Sequence, residues 1–349
     1  MTPLARRVLT LVALALLNGC SSLGYYSQLA SGQLHVLQTR EPVAAVIADP
    51  QRPAALRQQL VKAQAARTFA SQHLHLPDNP SYRVYADLKR PYVVWNVFAT
   101  PPFSLNPVTH CFPIAGCVAY RGYYSVGGAR GEAALQSQQG MDVFVGGVEA
   151  YSTLGWFDDP ILNTMLNWGD ERLASVIFHE LAHQRFYVKD DTEFNESFAT
   201  FVEQEGTRQW RARQGLPSPD MRAVQQRDQF IGLVLQTRQR LQQLYEQPLT
   251  APQMRQRKAE EFERMREAYR QLRDQQWSGN TRFDAWVYAP MNNAKLLPFG
   301  LYDQWVPAFA ALFKKSTSDW PTFYTEVEHL AKLPAERRKA ALRQLSNTP

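Results

Sequence analysis

Two histidines four residues apart bracket a glutamate in Val176-Ile177-Phe178-His179-Glu180-Leu181-Ala182-His183. On a helix that interval puts both imidazoles on one face, about one turn apart. Both can then reach one ion at the roughly 2.0–2.1 Å that zinc asks of nitrogen ligands. Glu180 stands beside His179 and turns around the helix toward the open side of such an ion. A carboxylate there can take a proton from metal-bound water and pass it to a leaving amine. Thirteen residues beyond His183, Glu196 begins a second expected helix and offers a third ligand. Two histidines and a carboxylate leave a fourth position for water, the arrangement of a catalytic zinc and not of a closed structural one. The chemistry implied is hydrolysis with one Zn2+ per chain. Ala199, about one turn after Glu196, is small enough to let the two helices approach closely.

The segment Asn195-Glu196-Ser197-Phe198-Ala199 resembles the Asn-Glu-x-Phe-Ala segment of gluzincin aminopeptidases, in which the glutamate is a zinc ligand. The gap from the second histidine to that glutamate is longer in those enzymes, so the connection Gln184 to Phe194 has to be tighter here. A second resemblance, covering most of the mature chain, is to a bacterial family of predicted aminopeptidases of lipoprotein type. It is carried by Trp95-Asn96-Val97-Phe98-Ala99, Cys111 to Tyr124, Tyr151-Ser152-Thr153-Leu154-Gly155-Trp156-Phe157-Asp158-Asp159, the histidine motif and Asn292-Asn293-Ala294. The resemblance implies a zincin-like fold and a peptide substrate.

A hydrolase of this kind also has to hold the negative charge that develops on the substrate, and zincins often use a Tyr, His or Arg from a later segment. Tyr302 is the expected catalytic partner, with Tyr288, Arg121 and Tyr123 as the other candidates. An exopeptidase must bind a free amine. Glu149, in Val145-Gly146-Gly147-Val148-Glu149, lies upstream of the histidines where related enzymes place an amine-binding glutamate on an edge strand, although their Gly-x-Met-Glu-Asn pattern is missing. Gly146 and Gly147 would let a substrate backbone come close, or would mark a bulge. Arg121 joins them as an expected substrate-binding residue. Ligating histidines usually give their free N–H to a carboxylate or carbonyl, and Asp158, Asp159, Asp190 and Asp191 are available. The position four after Glu196, an Asp in some gluzincins, is Thr200.

The N-terminus has Arg6 and Arg7 followed by an apolar run from Val8 to Leu17, too short to span a bilayer and ordered like an export signal. It ends in Leu17-Asn18-Gly19-Cys20, which resembles the bacterial lipobox. The resemblance implies acylation of Cys20, and Ser21 after it favours the outer membrane. A lipid anchor would leave the rest as a body facing the periplasm. Cys111 and Cys117 then remain as an even pair in an oxidising compartment, expected to form a disulfide, with metal binding as the rival use. The formal charge of +6 loses two positive charges with Arg6 and Arg7. The remaining Arg residues are interleaved with Glu, Asp and Gln, so no basic stripe argues for nucleic acid.

Composition, at 45% hydrophobic and 20% charged over 349 residues, is that of a globular chain able to bury a large core. Residues 24–70 read as largely helical, with Leu56, Leu60, Ala63, Ala66 and Phe69 at helical spacing. Tyr82-Tyr85, Tyr92-Phe98, Val118-Tyr124 and Val143-Val145 read as strands. Helices are expected over 171–187 and from Phe194 to Arg213, and two more between Pro219 and Trp277, the second opened by a Thr250–Gln253 capping box. Trp305 to Leu345 is again helical. The expected fold is α+β and mostly helical, a zincin-like domain with a small sheet and a long helical hairpin. The segments are a signal over 1–19, an N-terminal helical part over 20–78, the catalytic core over 79–218, the hairpin over 219–277 and a C-terminal helical part over 278–349. The function expected is zinc-dependent peptidase, of aminopeptidase type. An endopeptidase or processing protease is the rival within that class, and a non-catalytic binding lipoprotein the rival outside it.

Overall fold

The computed structural model describes residues 23–112, 116–167, 169–217 and 220–347. The expected export signal, the lipobox-like run and Cys20 lie outside the described residues. Among those described, no helix is long and apolar enough to cross a membrane.

The chain opens with a helix over 23–38 (α1), the strand Arg40–Pro42 (β1) and the short helix Val43–Ala48 (α2). Ala54–His73 (α3) follows Pro53, whose fixed φ suits a helix start. The stretch expected to be largely helical is interrupted by β1, while the helix expected to open at Pro53 does so. Leu60, Ala63, Ala66, Phe69 and Ala70 are buried at helical intervals on α3. On the same helix Arg67 is fully buried and donates to the carbonyls of Pro77, Asn79 and Ser81, tying down the loop that follows.

Then come Val84–Ala86 (β2), Val94–Thr100 (β3), His110–Phe112 (β4), Gly116–Val118 (β5) and Arg121–Tyr123 (β6). A helix not expected from the sequence, Val126–Gln138 (α4), precedes Asp142–Val148 (β7). Gly127, Gly128 and Gly131 disguise α4, because glycine disfavours helix interiors; Ser125 caps it by accepting from the Gly128 N–H. Ile161–Leu162 (β8) and a 3-10 turn lead into the helices Asp170–Arg185 (α5) and Thr192–Arg213 (α6).

Instead of one small sheet the strands among the described residues make three. β1-β2-β8 and β6-β3-β7 are three-stranded, and β4-β5 is a hairpin closed by a Cys111–Cys117 disulfide. The disulfide settles the use of that cysteine pair. β3 is antiparallel to both its neighbours, with Asn96 opposite Gly122 on one side and Gly146 on the other. Period-two alternation sends Val97, Val143 and Val145 to one face, where they pack with Ala129 of α4, and leaves the other face for the cleft described below.

Met221–Tyr245 (α7) and Ala251–Gln271 (α8) are joined by a short connection. α8 starts in a capping box in which Gln253 reaches back to the Thr250 N–H. A π-helical turn and Asp284–Tyr288 (α9) lead to Asn293–Tyr302 (α10), and the chain closes with Val306–Lys315 (α11), Trp320–Ala331 (α12) and Ala335–Ser346 (α13). The main core joins α3, α5, α6, α11 and α12 through Phe178, Phe194, Phe198, Phe309 and Phe323; a second core, with Phe230, Phe262, Met265 and Tyr269, belongs to α7 and α8.

Candidate metal centre

α5 buries His179, Glu180 and His183, and α6 buries Glu196 against them. The connection between the two helices is short, and Asn195 holds it: its side chain accepts from the Val188 N–H at 2.7 Å and donates to the Val188 carbonyl at 2.8 Å. Asp191 caps α6 by accepting from the Phe194 N–H. With the entry to α6 fixed in this way, Glu196 faces the histidines. Its Oε2 lies 3.4 Å from His179 Nε2 and 3.4 Å from His183 Nε2.

These three ligand atoms lie within 4.8 Å of one another and could hold a metal ion. Two ligands about 2.0–2.1 Å from a tetrahedral ion are separated by about 3.4 Å, so the spacing suits one. The electrostatics suit a cation too. Burial opposes the charge of Glu196, but His183 and His179 outweigh it and hold the carboxyl down at about 2. Burial likewise opposes a charged His179, but hydrogen bonds to Glu196 and Glu203 outweigh it and lift that group to about 10.

Glu203 was missed in the sequence. Its Oε2 lies 3.1 Å from His179 Nδ1, while Arg172 Nη1 donates to its Oε1 at 2.6 Å. It follows Glu196 by seven residues, two helical turns on the same face, and that interval is the signal that could have found it. The aspartates expected in this orienting role are engaged elsewhere. Asp159 accepts from Thr153 and Gln184, Asp190 from the Cys117 N–H, and Asp191 pairs with Arg338, while Asp158 offers its backbone carbonyl to Arg40. His183 Nδ1 is buried with no hydrogen-bond partner among the described residues. A carboxylate thus orients one histidine of the pair and not the other.

The centre lies in a cleft of about 680 Å³. Tyr302, at the end of α10, stacks on His179 with ring centroids 6.1 Å apart. Ser197, next to Glu196, sets that position: its Oγ donates to the Leu301 carbonyl and accepts from the Trp305 N–H. At the other end of α10, Asn292 caps the helix through the Lys295 N–H and donates to the Val143 carbonyl, fastening α10 to β7. Tyr120, also missed in the sequence, shares the cleft; burial, followed by the nearby Glu196 carboxylate, raises both phenols far above their ordinary pKa.

Of the remaining candidates, Glu149, Gly146 and Gly147 line the cleft. Glu149 is 3.4 Å from Arg172 Nε, so Arg172 bridges it to Glu203. A Cβ on Gly147 would overlap the Tyr92 ring at 2.4 Å, which accounts for that glycine by packing inside the protein. Arg121 is not in the cleft lining: it pairs with Glu132 and lies 3.9 Å over the Tyr25 ring. Tyr123 donates to Glu132, and Tyr288 is exposed beside Arg273. Neither reaches the centre.

Fold and site together define a mostly helical chain with small sheets and a two-histidine, one-glutamate group at the bottom of an open cleft. Over residues 24–342 it matches the family model described as "Putative aminopeptidase", and the chain belongs to that family. Membership supports a peptidase activity in general terms. No curated protein and no solved structure matches the chain.

Proposed function

We propose that the chain is a zinc-dependent aminopeptidase with a zincin-like catalytic core. The observation that carries this is the convergence of His179 Nε2 and His183 Nε2 on Glu196 Oε2, 3.4 Å from each, inside the cleft. His179, His183 and Glu196 would hold the ion, which when bound supplies a Lewis acid for the peptide carbonyl and for water. Glu180 is the general base and then the general acid. Burial raises its proton affinity, which His179 and His183 beside it moderate, so its carboxyl is suited to taking a proton and returning it to the leaving amine. Tyr302 and Tyr120, kept protonated, are the donors for the developing oxyanion.

The preference for a free amino terminus is supported by charge. The cleft lining carries the carboxylates of Glu149, Glu180, Glu196 and Glu203 against the single guanidinium of Arg172. A bound divalent cation offsets part of that negative charge, and the remainder favours an ammonium group. Glu149 is the carboxylate that would receive it. Export and lipid anchoring at Cys20 belong to the same proposal, supported by the lipobox-like end of the apolar run and by the Cys111–Cys117 disulfide, which suits an oxidising compartment.

The test is elemental analysis of the purified protein beside Glu196→Ala, followed by hydrolysis of one peptide with its amino terminus free and blocked. About one zinc per chain, lost in Glu196→Ala, with release of the first residue from the free peptide alone, is expected. Equal cleavage of the blocked peptide would make it an endopeptidase. No metal and no hydrolysis would leave a binding scaffold.

A further inference from the structure

The cleft face of the β6-β3-β7 sheet carries one polar side chain whose role nothing above explains. Asn96, in the middle of the central strand, is 6% exposed and lines the cleft. Among the described residues its side-chain amide has no hydrogen-bond partner. Its amide is open to the cleft, whereas the Asn195 amide and the Ser197 hydroxyl beside the centre are taken up by bonds within the protein.

The neighbours of Asn96 keep it bare. In register with it stand Gly122 on β6 and Gly146 on β7, so no side chain covers the amide from either flanking strand. A Cβ on Gly122 would meet Asn96 Oδ1 at 3.3 Å, and one on Gly146 would meet the Phe144 ring at 3.3 Å. The result is a trough across three strands in which neither residue paired with Asn96 carries a side chain, bordered at Gly146 by the Phe144 ring, with an amide at its centre. One wall is aromatic: Phe98 lies 5.4 Å from Tyr120 and 6.2 Å from Phe144, and Tyr120 leads to Glu196.

We propose that Asn96 is a substrate-binding residue that holds a peptide group of the substrate main chain, laid in the Gly122–Asn96–Gly146 trough. A carboxamide offers both a donor and an acceptor, the complement of one peptide group, and two flanking glycines give the close approach that a main chain needs and a bulky side chain does not. This rests on the peptidase reading of the cleft. It adds a recognition element that acts on the backbone of the substrate and is indifferent to its side chains.

The test uses tetraalanine, whose side chains are only methyl groups, and the metal-loaded Glu180→Gln protein, so that binding is read by calorimetry without turnover. Adding Asn96→Ala is expected to raise Kd by about tenfold or more, the loss of one or two hydrogen bonds, with metal content unchanged. Gly122→Ala, which leaves the amide in place and fills the trough, is expected to weaken binding in the same direction. A Kd within twofold of the parent in both variants, no tetraalanine binding by the parent, or loss of metal in parallel with peptide would each overturn the proposal. Release of alanine by the unsubstituted protein judges the aminopeptidase reading separately. Asn96-dependent binding without release would sink that reading and leave this one standing, and release with Asn96-independent binding would do the reverse.

Discussion

The α5–α6 pair and the α7–α8 pair are both consecutive helices joined by short connections, yet only α5–α6 buries a set of charged and polar side chains beside its apolar ones, which include Phe178, Phe194 and Phe198. α5 and α6 enclose Ser175, His179, Glu180, His183, Asn195, Glu196, Ser197 and Thr200. α7 and α8 enclose Phe230, Leu233, Val234, Leu241, Leu244, Met254, Phe262, Met265 and Tyr269, with Thr237 donating back to its own helix. Burying charged groups costs free energy that pairing often does not return in full. α7–α8 packs an apolar interface that Leu105, Trp277, Val287 and Leu296 complete, whereas α5–α6 is enclosed by α3, α10 and α11. The candidate site sits where the sequence departs from what packing alone would select.

The largest effects expected would separate the two pairs completely. Glu180→Gln should lower peptide hydrolysis by about 10²–10⁴-fold while one metal per chain and the urea unfolding midpoint are kept. Phe262→Ala should do the converse, lowering unfolding free energy by about 3–5 kcal/mol with metal content and turnover per folded molecule unchanged. Hydrolysis assays, elemental analysis and urea titration on the two proteins read both. Loss of metal in Phe262→Ala below its unfolding transition would show that the pairs are one cooperative unit, and the contrast would fail.

A smaller effect sharpens the contrast within α5–α6 itself. Glu203→Gln removes the negative charge opposite His179 Nδ1 and leaves one acceptor oxygen where His179 and Arg172 now use two. Metal affinity, measured by competition with a chelator, should fall by about 10–100-fold. An unchanged affinity would mean that His179 is held without that carboxylate, as His183 is, whose Nδ1 has no hydrogen-bond partner among the described residues.

What could be read from the chain divides along the same line as what is local and what is not. His179, Glu180 and His183 are legible because a helix fixes an i, i+4 relation without reference to anything else. Glu196 is legible as the start of the next helix, and Glu203 would have been had the Glu196 face been followed two turns further. Asn96 and Tyr120 are not legible, because their approach to the centre depends on the β3–β6 register, which no local pattern specifies. Tyr302 could be proposed from its type, but its selection over Tyr288 depends on Ser197 gripping the end of α10, more than a hundred positions away in the chain. α4 was hidden by its own glycines, and with it the reason why the sheet has one covered face and one free for the cleft.

The smallest effect expected concerns Asp159, which lies close to α5 without serving its histidines. It accepts from the Thr153 N–H at 3.0 Å and from Gln184 Nε2 at 2.9 Å, and it is nearly inaccessible. Burial raises its carboxyl to about 6, and the hydrogen bonds from Thr153, Gln184 and Ser152 pull back only part of that rise. An unfolded Asp titrates near about 3.9, so between that pH and about 6 the folded state holds more proton than the unfolded one. The contribution to stability is therefore fully present below the unfolded value and is lost as pH rises through about 6. From about pH 5 to 7.5 the unsubstituted protein should lose about 1 kcal/mol more than Asp159→Asn does, measured by urea unfolding at both pH values. Parallel slopes in the two proteins would mean that the carboxylate is ionised in the fold across that range. The cost of buried charge would then be confined to the candidate metal centre, and the contrast between the two helix pairs would be drawn more narrowly, around Glu180, Glu196 and Glu203.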